Sequence, residues 1–215
     1  MMLDIWMAGG VKTTKGLIPA TDGAEYPMEW ATLVSMLETP HIIPFEPSPE
    51  EPSKPYRKGK ECWIPAKLKT DAQTGKPLTR SAAAIIHYSC VVLDLDGGNA
   101  EQVEAALLAH DLSFVIHSTY SHNHAEERID RFRVVVPLDR PVEGKAQYKA
   151  VVDQVALLAG GGELPVGFDT ASASYSQAFW LPACPQERAD QYFWISNTGK
   201  PYEWHSPDLL DTEAQ

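Results

Sequence analysis

An α+β fold built on a ferredoxin-like β-α-β-β-α-β unit is predicted by three features of the sequence. An apolar, β-branched run from Ile85 to Leu95 ends abruptly in Asp94-Leu95-Asp96-Gly97-Gly98. Two segments with helical periodicity follow, Ala100 to His110 and Gly144 to Ala159. Strand-like runs, Ser113 to Thr119 and Arg131 to Leu138, lie between them, and another, Gln177 to Leu181, comes after. That order is the unit also used by RNA-recognition motifs. An N-terminal α/β extension would occupy residues 1–80, the unit 81–200 and a polar tail 201–215.

In the extension, Pro27 suits the first turn of a helix. Trp30, Leu33, Val34 and Leu37 then give an apolar stripe that ends before Pro40. Phe45 to Gly59, with Pro47, Pro49, Pro52 and Pro55, reads as a long loop. Trp63 to Leu68 reads as a strand, with a turn at Thr74-Gly75. Ser89 to Asp96 is the first strand of the unit. Asn99 caps the helix behind it, which presents Val103, Ala106 and Leu107 on one face. Pro137 and Pro141 would end the third strand. Tyr148, Val151, Val152, Val155 and Leu158 share a face of the second helix, which Gly160-Gly161-Gly162 stops. Tyr192 to Ile195 is a last strand. Both helices would cover one sheet face and leave the other free. The first and third strands would be central neighbours, with the fourth beside the first.

The bulk numbers exclude several classes. The 215 residues are 44% hydrophobic and 22% charged, ordinary for a globular chain. No apolar run approaches a membrane span, and the first ten residues lack a basic region of a secretory signal. Cys62, Cys90 and Cys184 stand far apart, which argues against a zinc ribbon or disulfide framework and fits a reducing cytoplasm. A net charge of -11 argues against tight non-specific duplex binding. Yet Lys54 to Arg80 holds eight basic residues (Lys54, Arg57, Lys58, Lys60, Lys67, Lys69, Lys76, Arg80) against two acids, +6 in all. Such a patch attracts phosphates even on an anionic molecule; the plainer alternative is a solvated lysine-rich loop.

On a strand, Asp94 and Asp96 project from one face while Val91, Leu93 and Leu95 face a core. Two carboxylates so close repel, and a divalent cation relieves them; hard oxygen donors suit Mg²⁺ or Mn²⁺. A solvated acidic turn is the plainer alternative. Arg131 and Arg133 form a second i, i+2 pair on the neighbouring strand, suited to a triphosphate or to ion pairs with the two aspartates. His117, Ser121, His122 and His124 lie at the end of the second strand, where a histidine can donate to phosphate or transfer a proton. Asp169, before Ser174 and Gln177, would complete a three-carboxylate set for two cations, or else cap a turn.

These pieces in this order resemble the archaeo-eukaryotic primase superfamily over about residues 80 to 185. Asp94-x-Asp96 matches its first motif, the stretch around Ser121-His122 its second, and Phe168-Asp169 its third. The run from His117 through Arg133-Val134-Val135-Val136-Pro137-Leu138, and Phe179-Trp180-Leu181-Pro182, are similar to primases of phages, plasmids and integrated elements. One departure is that Ser121 and His122 are adjacent, where the family has Ser-x-His. The resemblance implies a primase-type fold and template-directed nucleotidyl transfer from NTPs or dNTPs on single-stranded DNA, with two Mg²⁺ or Mn²⁺ ions. It implies Asp94, Asp96 and Asp169 as metal ligands and His122 at the nucleotide phosphates. Arg131, Arg133, Ser121, His124, Ser174 and Gln177 would line the nucleotide site. The family's helicase portion has no counterpart here, so a separate or detached helicase is expected.

Three other readings compete. A haloacid-dehalogenase-type phosphatase would use Asp94 as nucleophile, with Ile116-His117-Ser118-Thr119 as its second element. Against it, Gly98 stands where a threonine is usual. A replication-initiator nuclease would need a hydrophobic residue at Asn123, between His122 and His124. A non-catalytic RNA-binding module needs aromatics on the open sheet face, whereas Phe132 alternates away from Arg131 and Arg133.

Overall fold

The computed structural model describes residues 1–13, 16–47, 61–122 and 130–205. The strands of the N-terminal part are β1 (Met2–Thr13), β2 (Gly16–Pro19), β3 (Ala24–Glu29), β4 (His41–Ile42), β5 (Glu61–Ile64) and β6 (Ala66–Leu68). Helix α1 spans Trp30–Glu38. The second part contains β7 (Ile85–Leu95), α2 (Ala100–Leu108), β8 (Phe114–Ser118), β9 (Phe132–Glu143), α3 (Lys145–Ala159), β10 (Phe179–Trp180), β11 (Ala183–Cys184) and β12 (Trp194–Asn197). The fold is mixed α+β, mostly strand. No helix among the described residues is long and apolar enough to cross a membrane.

Two sheets stack. One has the order β12-β8-β9-β7-β6, and the other β10-β5-β1-β2 with β3 on β1; all their pairings are antiparallel. The expected neighbours β7 and β9 pair centrally, with Asp94 opposite Arg133 and Leu93 opposite Val134. Alternation along β7 then decides the layers. Val91, Leu93 and Leu95 face α2 and α3, packing with Val103, Leu107, Val151 and Val155. Cys90 and Val92 face the other way, with Val115 and Val135, onto Leu3, Ile5, Leu33, Leu37 and Trp63. The outer face, expected to be free, is therefore covered over part of its length: the N-terminal sheet and α1 seal half of it.

Helix α2 starts where its cap predicts. Asn99 Oδ1 accepts from the Glu101 and Gln102 amides at 2.8 and 3.1 Å, satisfying donors that a helix start leaves unpaired.

Four further expectations are corrected. The fourth strand does not run beside β7: Phe179–Trp180 pairs with β5, and β6 takes the edge of β7. Pro27 lies within β3, opposite Asp4, and α1 begins at Trp30. Trp63 to Leu68 is two strands broken at Pro65, which has no amide to donate. Finally, β9 runs through both prolines. Past Val135 it has lost β8 and pairs with β7, beside a register shift between Tyr88 and Cys90, while Tyr202 bridges its other edge and donates to the Pro137 carbonyl; neither side needs the missing proline N–H.

Candidate active site

The site begins where the second sheet stops covering the first. Two residues beyond Val92, Val115 and Val135, the same strand faces carry Asp94, His117 and Arg133, in register across β7, β9 and β8. They line a cavity of about 210 Å³ with Asp96, Arg131, Asp169, Thr119, Tyr120 and Ser121.

Asp169 comes from the other end of the unit, and backbone bonds bring it there. The Asp169 amide donates to the Asp94 carbonyl at 2.9 Å, and the Asp96 amide to the Gly167 carbonyl at 2.8 Å. The Asp94 amide donates to Ser172 Oγ, a buried hydroxyl, at 2.8 Å. Leu95 and Phe168 pair as an isolated bridge. Glycine makes this approach possible. Gly167 has φ +77°, and a Cβ there would sit 2.6 Å from the Gly97 amide nitrogen. The glycines after the paired aspartates thus admit another backbone, one of the two uses such glycines serve.

The charges are already partly paired. Both Nε and Nη2 of Arg133 reach Asp94 Oδ2, at 3.3 and 3.1 Å. Arg131 Nε lies 3.7 Å from Asp96 Oδ1, and both side chains are more open to solvent. Asp169 Oδ1 accepts from the Ala171 amide at 2.9 Å, capping a short 3-10 turn (Thr170–Ala173), so the capping alternative also holds. The other oxygens, Asp94 Oδ1, Asp96 Oδ2 and Asp169 Oδ2, accept no hydrogen bond among the described residues.

The histidines separate. His117 is fully buried, its Nδ1 3.0 Å from the Ser118 carbonyl, and Nε2 has no hydrogen-bond partner among the described residues. Burial, helped by the Arg133 charge, pushes its pKa down to about 4, so it is a neutral imidazole near pH 7. His122 lies in a different cavity, with Asn99, Asp130, Phe193 and Ile195. Its ring meets Phe193 edge-on at 5.2 Å, and burial holds its pKa below the usual value.

Among the sequence candidates, the cavity therefore gathers Asp94, Asp96, Asp169, Arg131, Arg133, Ser121 and His117. It does not include His122, Ser174 or Gln177. His124 lies outside the described residues, as do Lys54, Arg57, Lys58 and Lys60. Lys67, Lys69, Lys76 and Arg80 are described and do not line the cavity. Arg80 is committed to the Ser176 carbonyl and lies 5.8 Å from the Trp6 ring. Sequence reading left His117 as one of three candidates and missed Ser172. The signal for His117 was its i, i+2 spacing from Val115 on a strand registered with Arg133.

The VapE N-terminal domain family matches residues 72–203. The chain belongs to this family. The match spans β7 to β12 and every residue of the cavity. A comparison with curated proteins finds no match. Among solved structures, the chain is similar to the archaeo-eukaryotic primase domain of the cyanophage S-2L primase-polymerase. Identity there is 14% and the TM-score 0.44, covering 98% of this chain and 88% of that one. It is also similar to the polymerase domain of Mycobacterium tuberculosis ligase D in complex with DNA. That match has 15% identity and a TM-score of 0.36, covering 81% of this chain and 56% of that one.

Proposed function

We propose that this VapE-type domain is a primase or primase-polymerase that joins nucleotides on a single-stranded DNA template. The observation that carries the reading is the interlock of two acidic segments far apart in sequence. Gly167 to Ser172 is bonded to Asp94 and Asp96, and so brings Asp169 to the mouth of the same cavity.

The donor set suits divalent cations. Asp94, Asp96 and Asp169 offer hard oxygens on one wall. Among the described residues no three His, Cys, Asp or Glu side chains close around an ion by themselves. A Mg²⁺ or Mn²⁺ site of this kind would depend on the substrate, because these ions take one or two carboxylates and fill the rest of their shell with phosphate and water. When bound, such ions lower the pKa of an attacking 3′-hydroxyl and neutralise leaving pyrophosphate.

The chain's own side chains do the remainder. Arg131, at the rim, pairs with nucleotide phosphate. His117 lines the cavity as a neutral imidazole, and His122 lies in another, so the nucleotide role expected of His122 is assigned in this reading to His117. Arg133 fixes the orientation of Asp94. Lys69 and Lys76, exposed on the turn after β6, would meet template phosphates. Duplex opening would fall to a separately encoded or detached helicase.

Two rival readings lose support. A nucleophilic Asp94 would have to act through Oδ1 alone, beside an arginine that holds Oδ2 with two donors. An RNA-binding module needs an exposed aromatic on β9, and Phe132 is fully buried toward the helices.

The test is incubation with single-stranded DNA and labelled NTPs or dNTPs, without primer, with Mg²⁺ or Mn²⁺. Labelled product is expected from the wild-type chain and none from folded Asp94→Asn. Synthesis that survives in Asp94→Asn, or an inactive wild type with either metal, sinks the reading.

A further inference from the structure

Arg133 is held from three sides. Two of its nitrogens reach Asp94 Oδ2, at 3.3 and 3.1 Å, and Nη1 donates to the Trp180 carbonyl at 2.9 Å. Its guanidinium carbon also lies 5.4 Å from the centre of the Phe179 ring. Only 13% of the side chain is exposed. An arginine does not give up its proton in a protein, so this charge is permanent. Partial burial also leaves it poorly screened by salt.

The consequence falls on any cation approaching the acids. The cavity wall carries three carboxylates and two guanidiniums, which leaves one net negative charge. A divalent ion arriving alone meets Asp94 already neutralised and feels the guanidinium behind it. A nucleoside triphosphate changes this balance, because it adds several negative charges and further oxygen donors.

We propose that Arg133 makes cation capture at Asp94, Asp96 and Asp169 conditional on a nucleoside triphosphate. Its fixed charge keeps the acids' affinity for a lone divalent cation low, and bound phosphates offset that charge. The inference rests on the polymerase reading of the same acids. By linkage, the cation must raise nucleotide affinity by the factor that nucleotide raises cation affinity.

The test measures Mn²⁺ binding to the full chain by electron paramagnetic resonance, first with Mn²⁺ alone and then with a non-hydrolysable nucleoside triphosphate. Arg133→Gln should bind Mn²⁺ alone about tenfold more tightly than wild type, about 1.4 kcal/mol. Its further gain from the triphosphate should be smaller than wild type's. Arg133→Lys keeps the charge and loses the fork, so its Mn²⁺ affinity should stay near wild type. Equal or weaker Mn²⁺ binding by folded Arg133→Gln overturns the proposal. So does tight binding by Arg133→Lys, which would assign the effect to packing. If Arg133→Gln does not fold, Arg131→Gln carries the same comparison, with an expected gain of about threefold. An unchanged affinity there counts against the proposal. Wild-type Mn²⁺ binding that persists in Asp94→Asn refutes the site itself, so the two failures remain distinguishable.

Discussion

Along β7, β8 and β9, one sheet face is used in two opposite ways. Cys90, Val92, Val115 and Val135 are sealed under the N-terminal sheet and α1. One strand period further on, Asp94, His117 and Arg133 line an open cavity. The backbone is the same and so is the register. The cover differs, and with it the tolerance for charge. The lesson is that the second sheet does more than complete a core: its edge decides where the charged half can begin.

Moving a carboxylate back across that edge should have the largest effect. Val92→Asp puts an unpaired acid among Leu3, Leu37 and Trp63, and should cost about 4 kcal/mol or more in urea unfolding at pH 7. A stable Val92→Asp would mean that the sealed half is wet.

The pH dependence of His117 sharpens the comparison. Burial and Arg133 lower its pKa from 6.5 to about 4. Between those values the unfolded chain binds a proton that the folded chain refuses, so acid favours unfolding. The contribution is complete above pH 6.5 and is lost as pH falls toward 4, about 3 kcal/mol at most. Unfolding measured at pH 7 and 4.5 should show this loss in wild type and a flatter dependence in His117→Gln. Equal slopes would place the acid sensitivity elsewhere.

Gly167→Ala tests what holds the two acidic segments together. A Cβ 2.6 Å from the Gly97 nitrogen, on a residue with φ +77°, should cost about 1–3 kcal/mol. A displaced Asp169 should lower nucleotide incorporation about a hundredfold, the usual penalty for a small misplacement. Full activity in that variant would remove Asp169 from the site. The smallest effect is expected at the rim. Arg131→Gln should raise the nucleotide KM about threefold to tenfold and leave kcat nearly unchanged, as lost ground-state binding does. A fall in kcat instead would move Arg131 into the chemical step.

Much of this was legible before any coordinates. The alternation of β7 assigned Val91, Leu93 and Leu95 to the helix layer, and the shared period of β9 set Arg133 beside Asp94. Asn99 marked its helix start because capping is local chemistry. Long-range choices were harder. Phe179–Trp180 is two residues long, and nothing local says whether so short a strand prefers β5 or β7. Pro137 and Pro141 look like strand terminators, because a sequence does not reveal where along a strand an amide is dispensable. His117 and His122 are five residues apart in similar company, and only the pairing of β8 with β9 separates them. Ser172 acts through its hydroxyl on a distant amide, a contact that no spacing rule announces.

The third acid is carried to its place by main chain against main chain, with Gly167 at the point of closest approach. The exposed side chain of Val166 is therefore free to vary while the acids keep their address. In a saturation scan of this domain, among the least forgiving positions outside the apolar interior should stand a residue that has no side chain at all.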